Sequence, residues 1–228
     1  MSKLPLVGQM VAHTNTWCTP DLEAGLAGIA DVRTARMLLP EPVTTAGEWT
    51  MLQEHAPRAA AELAESDPTV VLFGCSSAAA LLGNEGALTF YDELAEIAGA
   101  PVLGINPMLF STLRREGIRR LSLVAPYERV ITDALAEQLE LAGYEVVSSA
   151  SMEMPNNLEV GRLGVDEVTR FTLDHVAEGV DGVLVACGNL RAYEALPELR
   201  AKTGLPVVTA NSAAVDELRL WLSENTDR

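Results

Sequence analysis

Two cysteines of the chain each stand directly after a short apolar run. Cys75 follows "VVLFG" and Cys187 follows "GVLVA", and in both places small or polar residues and a helical pattern come next. A helix N-terminus lowers the pKa of a nearby thiol, and its free N–H groups bind anions. Two thiols that face each other across a crevice can act as nucleophile and acid, or as an acid and base pair. The pattern therefore predicts a two-thiol site with local anion-binding groups.

The residues that follow each cysteine are small or polar, and they keep backbone N–H groups approachable: Ser76, Ser77, Gly188 and Asn189. A single cysteine is more often a small buried apolar residue than a reactive one. Two cysteines at equivalent places in similar segments favour a functional pair. Cys18 has no such partner, and we interpret it as structural.

Composition and charge exclude several classes of protein. The chain has 228 residues, of which 48% are apolar, and its net charge is −16 without any long Lys/Arg run, so nucleic acid and anionic membrane are poor partners. No apolar run reaches the roughly 20 residues that span a bilayer, and no signal peptide pattern is present, which indicates a cytoplasmic protein. The three His and three Cys have no metal-ligand spacing. An odd number of distant cysteines argues against a disulfide framework.

The hydrophobic pattern predicts an α/β fold. Strand-like segments alternate with segments of helical length, which is typical of parallel sheets flanked by helices. The strands are predicted at 5–11, 31–38, 69–74, 101–105, 119–125, 144–149, 182–186 and 205–209. The helices are predicted at 52–66, 86–99, 127–142, 166–178, 189–202 and 212–223.

An internal repeat predicts two pseudo-symmetric, Rossmann-like halves. Each half contains a strand, a cysteine, a helix and then a Pro-apolar-apolar-x-x-Asn segment that ends at Asn106 or Asn211. We assign residues 1–106, with the C-terminal helix 212–228, to the first half and residues 107–211 to the second. Ligands of open α/β sheets bind beyond the carboxyl ends of the strands, so the active site is expected in the cleft between the halves.

Four motifs, in order along nearly the whole chain, resemble the aspartate/glutamate racemase superfamily. They resemble most its branch of maleate cis–trans isomerases and arylmalonate decarboxylases. The motifs are "FGCSSAAALLG", "GIRRLSLVAPYERVITDALAEQLELAGYEVV", "PNNLEVGRL", and "VACGNLRAYEALPEL" followed by "TGLPVVTANSAA".

The resemblance implies a reaction without a cofactor or metal, on a small unsaturated carboxylate or dicarboxylate such as maleate. Cys75 would add to the double bond to give a covalent succinyl-type intermediate, and Cys187 would supply and recover the proton at the neighbouring carbon. Asn15, Tyr127 and Asn157 match substrate-binding residues of the branch. The resemblance also implies a homodimer.

Each of these polar residues also has a structural interpretation. Asn15 is suited to cap the helix that starts near Thr19, and Tyr127 is suited to a helix start. Asn157 is suited to a turn.

Gly188 replaces a threonine that is common in the branch, and we expect this loss to enlarge the pocket near the second thiol.

Three other functions stay open at this level. A racemase or epimerase would use the same two thiols for proton transfer beside a carboxylate. An arylmalonate-type decarboxylase is less compatible, because that branch lacks the first cysteine. A small-molecule-binding α/β domain would use both thiols only for packing.

Overall fold

The chain, seen as a computed structural model, is described over residues 4–40 and 42–225. Within this part all eight predicted strands are present, and they form two four-stranded parallel sheets. The first sheet contains β1 (Leu6–Ala12), β2 (Asp31–Met37), β3 (Val70–Phe73) and β4 (Val102–Gly104). The second contains β5 (Arg120–Ala125), β6 (Glu145–Ser151), β7 (Gly182–Val185) and β8 (Val207–Thr209). The predicted α/β class is confirmed.

Helices connect and cover the strands. In the first half of the chain they are α1 (Cys18–Gly25), α2 (Thr45–Thr50), α3 (Ala56–Ala64), α4 (Ser76–Ala98) and α5 (Ile105–Arg115). A π-helical turn, Met51–His55, joins α2 to α3. Further along the chain they are α6 (Arg129–Leu141), α7 (Asn157–Arg162), α8 (Val165–Asp174), α9 (Ala192–Thr203) and α10 (Ala210–Asn225).

The two sheets share one strand order. It is β2-β1-β3-β4 in the first sheet and β6-β5-β7-β8 in the second. In each sheet the first strand in chain order, β1 or β5, lies in the middle and the second forms one edge. The chain then crosses over, and the third and fourth strands lie on the other side of the first. The carboxyl ends of β1 and β3, and of β5 and β7, are therefore topological switch points, where open α/β sheets bind ligands. The common order agrees with the predicted duplication.

The middle strands that carry the cysteines are buried on both faces. All four residues of β3 and all four of β7 are buried. Their continuous apolar sequences, "VVLF" and "GVLV", suit strands that have helices on both sides. Both cysteines are thus placed by rigid, fully packed strands.

The C-terminal helix α10 packs on the first half of the chain. Leu218 is fully buried in the same apolar cluster as Val7 and Leu22. Gly25 of α1 allows the close approach, because a Cβ there would lie 2.4 Å from Val215. The boundaries of the two predicted domains, at 106/107 and 211/212, stay predictions.

Helix α4 starts immediately after Cys75 and is interrupted once. Gly83 has φ +71° and ψ 169°, a conformation that favours glycine. Gln138 of α6 donates hydrogen bonds of 2.9 Å to the carbonyl oxygens of Ala79 and Ala80, which the interruption leaves without helical partners. The first part of α4 is thereby a short, firmly held helix whose N-terminus lies at Cys75.

Candidate active site

The two switch points bring both predicted thiols to one small cavity. Its volume is about 20 Å³, enough for one water molecule. Its walls include all nine residues that the sequence predicts for the site: Asn15, Cys75, Ser76, Ser77, Tyr127, Asn157, Cys187, Gly188 and Asn189. A dicarboxylate is much larger than a water molecule, so the cavity must widen before it can hold one.

Cys75 caps the N-terminus of α4 in an extended conformation. Its Sγ lies 3.5 Å from Ser77 Oγ. Burial raises the pKa of the thiol, and the nearby Glu48 charge raises it further, while the Ser77 hydroxyl and the backbone N–H of Ala78 lower it. The expectation of a lowered pKa is therefore wrong for the resting site, because desolvation outweighs the helix N-terminus.

Cys187 is positioned by a strained turn. Its φ is +143°, in a region that residues other than glycine rarely adopt. The predicted helix 189–202 starts only at Ala192, so the N–H groups near this thiol belong to the turn. The N–H of Asn189 lies 3.3 Å from Cys187 Sγ. Burial raises the pKa of Cys187 to about 11, while the Asn189 N–H and a hydrogen bond from the Tyr127 hydroxyl lower it.

A network of hydrogen bonds beside the cavity joins the two halves of the chain. Asn189 Oδ1 accepts from the N–H of Thr16 at 2.7 Å, and its Nδ2 donates to the Asn157 carbonyl oxygen at 2.6 Å. Asn157 Nδ2 donates to Thr14 Oγ1 at 2.7 Å. The Asn189 side chain is thus used to hold the loop after β1 against α7, and it is a positioning group in this state.

Asn15 and Ser76 have fixed orientations in the cavity wall. Asn15 Oδ1 accepts from the N–H of Cys18 at 3.0 Å, so the predicted capping contact exists while the residue also lines the cavity. Ser76 Oγ donates to Asn106 Oδ1 at 2.6 Å and also contacts the Tyr127 hydroxyl. Both side chains are therefore held in place before any ligand binds.

Gly188 does not enlarge the pocket near the second thiol, so that expectation is wrong. A Cβ there would lie 3.1 Å from Asn211 Oδ1 and 3.4 Å from Cys18 Sγ. The missing side chain therefore leaves no open space, because Asn211 and Cys18 occupy it. Cys18 itself is buried and accepts a hydrogen bond from Gln9 Nε2 at 3.0 Å, in agreement with a structural role.

Glu48 is a site residue that the sequence analysis missed. It belongs to α2, is fully buried, and accepts a long hydrogen bond from the Cys75 thiol, with 4.0 Å between Sγ and Oε2. Ser77 also hydrogen-bonds its carboxyl group. Burial raises the pKa of Glu48 from 4.5 to about 7. An acidic residue in the first turn of a helix is ordinary on a protein surface, so the sequence carries no signal of this burial.

This carboxyl group makes stability depend on pH. Between pH 4.5 and about 7 the folded chain holds the Glu48 proton and the unfolded chain does not. The free energy of unfolding is therefore expected to fall as the pH rises through this window, by about 3 kcal/mol in total. Urea unfolding of the wild type and of Glu48→Gln at pH 5 and pH 8 measures this contribution.

The Glu48→Gln variant is expected to lose that part of the pH dependence, since glutamine does not titrate. Glu54→Gln is the matched control, because Glu54 is exposed and lies just beyond Glu48 along the chain. Equal pH dependence in Glu48→Gln and in the wild type would contradict the assignment. Asp21, whose pKa burial raises to about 6, contributes in the same direction in all three proteins.

No group of three or more His, Cys, Asp or Glu side chains within residues 4–40 and 42–225 is arranged to hold a metal ion. No helix in the same residues is long and apolar enough to cross a membrane.

The fold and the two-thiol cavity define a known class of α/β protein. The sequence model of the arylmalonate decarboxylase family matches residues 34–225. The chain therefore belongs to the arylmalonate decarboxylase family.

The individual relatives have two different activities, maleate isomerisation and arylmalonate decarboxylation. The chain is 28% identical to a maleate isomerase of Alcaligenes faecalis, over 90% of this chain and 85% of the relative. It is 29% identical to an arylmalonate decarboxylase of Bordetella bronchiseptica, over 56% of this chain and 54% of the relative. A cysteine-to-serine mutant of the Nocardia farcinica maleate cis–trans isomerase, solved with a covalently bound succinylcysteine intermediate, has a TM-score of 0.87. That structure is 22% identical, and the similarity covers 94% of this chain and 91% of that one.

Proposed function

We propose that this chain is a cofactor-independent cis–trans isomerase of a small unsaturated dicarboxylate, with maleate as the first candidate. The observation that carries the proposal is the presence of two thiols, Cys75 and Cys187, on one cavity. A charge on Cys187 raises the pKa of Cys75, so the two sulfurs interact. The similarity to maleate isomerases over most of the chain supports this reaction.

The reaction would begin at Cys75. Its sulfur adds to one carbon of the double bond, and the π electrons move onto the adjacent carbon and its carboxylate. The N–H groups at the start of α4, beside Ser76 and Ser77, would stabilise this developing negative charge. The C–S bond leaves a single bond between the two central carbons, and rotation about it becomes possible.

Cys187 would donate and later remove the proton of the substrate carbon next to the C–S bond. Its thiol donates a proton to the carbon next to the new C–S bond, which gives the succinyl-type adduct. After rotation the Cys187 thiolate takes that proton back, the double bond forms again and the C–S bond breaks. The hydrogen bond from Tyr127 and the N–H of Asn189 stabilise the thiolate during this interval. No atom or electron is gained or lost in the whole cycle.

Proton NMR of the purified chain with maleate tests the proposal. Conversion to fumarate without any added cofactor supports it. The absence of conversion, combined with solvent deuterium in the α-position of a chiral acid, would instead support a racemase. Release of CO₂ from a 2-arylmalonate would support a decarboxylase. If no reaction occurs and both thiols resist iodoacetamide, the chain is better explained as a binding domain.

Asn157 is proposed to bind one substrate carboxylate by turning its amide from Thr14 toward the cavity. Asn157→Ala is expected to weaken binding of a dicarboxylate by about 1–3 kcal/mol, because a buried carboxylate loses a donor. Calorimetric titration of maleate into the Cys75→Ser variant, with and without this change, measures the difference. Asn225→Ala, at the exposed C-terminal end of α10, is the control. Equal affinities would remove Asn157 from the binding site.

A further inference from the structure

Glu48 has no task in the mechanism above, although it lies against the nucleophile. Its Oε2 is the acceptor of the Cys75 thiol proton at 4.0 Å. Its Oε1 is buried and has no hydrogen-bond partner among the described residues. The ion pairs found within the described ranges do not include Glu48. A buried carboxyl group without a cationic partner opposes folding, so its presence requires another reason.

The addition step requires a group that removes the proton from Cys75. The resting thiol is buried and its pKa is raised, so little thiolate exists before the reaction. The other polar groups that interact with this sulfur are the Ser77 hydroxyl, the Ala78 N–H, the Tyr91 and Tyr127 hydroxyls and the second thiol, Cys187. Hydroxyl groups and an N–H are poor bases, and Cys187 must keep its proton for the substrate carbon. Among the groups of residues 4–40 and 42–225 that interact with this sulfur, the carboxylate of Glu48 is the remaining base.

We propose that Glu48 is the general base that accepts the proton of the Cys75 thiol while the sulfur adds to the substrate. This inference rests on the proposed function, because it assigns a base to its first step. The S–H bond breaks as the C–S bond forms, the proton moves to a carboxylate oxygen of Glu48, and the π electron pair moves toward the substrate carboxylate. In the reverse step Glu48 returns the proton to the departing sulfur.

The proton transfer conserves the total charge of the site. Glu48 carries one negative charge before the addition, and it becomes neutral as one negative charge develops on the substrate. Ser77 hydrogen-bonds Glu48 and lies 3.5 Å from the sulfur, so it can hold the carboxyl group in line with the thiol. The N–H groups at the start of α4 can then stabilise the charge on the substrate.

The rate at which iodoacetamide alkylates Cys75 shows whether Glu48 acts as a base or only as a nearby negative charge. A carboxylate that acts only as a charge raises the pKa of Cys75, so Glu48→Gln would then speed alkylation. A general base has the opposite effect, and Glu48→Gln is expected to slow alkylation of Cys75 by about 10²-fold. Mass spectrometry of the peptide that contains Cys75 gives the rate for this sulfur alone.

The control is Glu54→Gln, which has the same change of charge and is expected to react like the wild type. Glutamine has nearly the shape of glutamate, and Oε1 of Glu48 loses no described partner, so the variant is expected to fold. A thermal melt verifies this. Alkylation of Glu48→Gln at the wild-type rate or faster overturns the proposal. A wild-type Cys75 that does not react at all also overturns it, because its thiol would then not be activated.

Turnover of maleate gives a second readout. Glu48→Gln is expected to lower kcat by about 10²-fold or more with little change in KM, and Glu48→Asp to restore part of the loss. An unchanged kcat would overturn the role in catalysis. If the wild type does not convert maleate, the proposed function fails, while the alkylation rates still decide whether Glu48 activates Cys75.

Discussion

Replacement of Cys75 by serine is expected to lower the rate of maleate isomerisation by about 10³-fold or more. The covalent step depends on sulfur, since a hydroxyl group at this place is a far weaker nucleophile. Serine is slightly smaller than cysteine and keeps the N-terminus of α4 intact, so binding of the substrate should largely survive. The initial rate of fumarate formation, followed by NMR, measures the effect.

Cys18→Ser is the matched control for this change. Cys18 is also buried, and its sulfur contacts Gln9 rather than the cavity. The control should keep most of the turnover, even if its melting temperature falls. A Cys75→Ser variant that retained most of the wild-type rate would remove Cys75 from the mechanism.

Replacement of Cys187 by serine is expected to have a similar effect on turnover, about 10³-fold or more, but to leave a different product on the protein. Cys75 can still add to maleate, and the neighbouring carbon then takes its proton from water. Removal of that proton is impaired, because the thiolate of Cys187 is absent. The adduct should therefore persist on Cys75. Intact-protein mass spectrometry after incubation with maleate should show a gain of one maleic acid, assigned to Cys75 by digestion.

The double variant provides the reference for that experiment. Cys75→Ser combined with Cys187→Ser should carry no adduct, because no nucleophile remains on the cavity. An adduct on Cys187 in the Cys75→Ser variant would reverse the two roles. Full turnover by Cys187→Ser would show that another group, such as water or Tyr127, removes the proton.

The fold was predictable because its signals are local. Short apolar runs such as "VVLF" and "GVLV", bounded by turn residues, are typical of strands buried on both faces. The two cysteines follow those strands directly, so the placement of their sulfurs at the switch points follows from the strand assignment alone. Asn15 and Tyr127, which the resemblance implied as substrate-binding residues, follow β1 and β5 and also line the cavity.

The features that were missed depend on packing between distant segments. Glu48 lies 27 residues before Cys75, and only the packing of α2 beside the start of α4 buries it. The raised pKa values have the same origin, since burial outweighs the local effect of a helix N-terminus. The Asn189 side chain contacts Thr16 at a separation of 173 residues. No local pattern reports contacts of this kind.

The positive φ of Cys187 affects how the thermal stability of this chain can be increased. Glycine adopts such a conformation freely, so Cys187→Gly would relieve backbone strain of order 1–3 kcal/mol, offset in part by the greater flexibility of unfolded glycine. A selection for thermal stability alone would therefore tend to discard the proposed proton donor. Stability and turnover compete at this residue, and a stabilised variant for practical use must be sought away from β7.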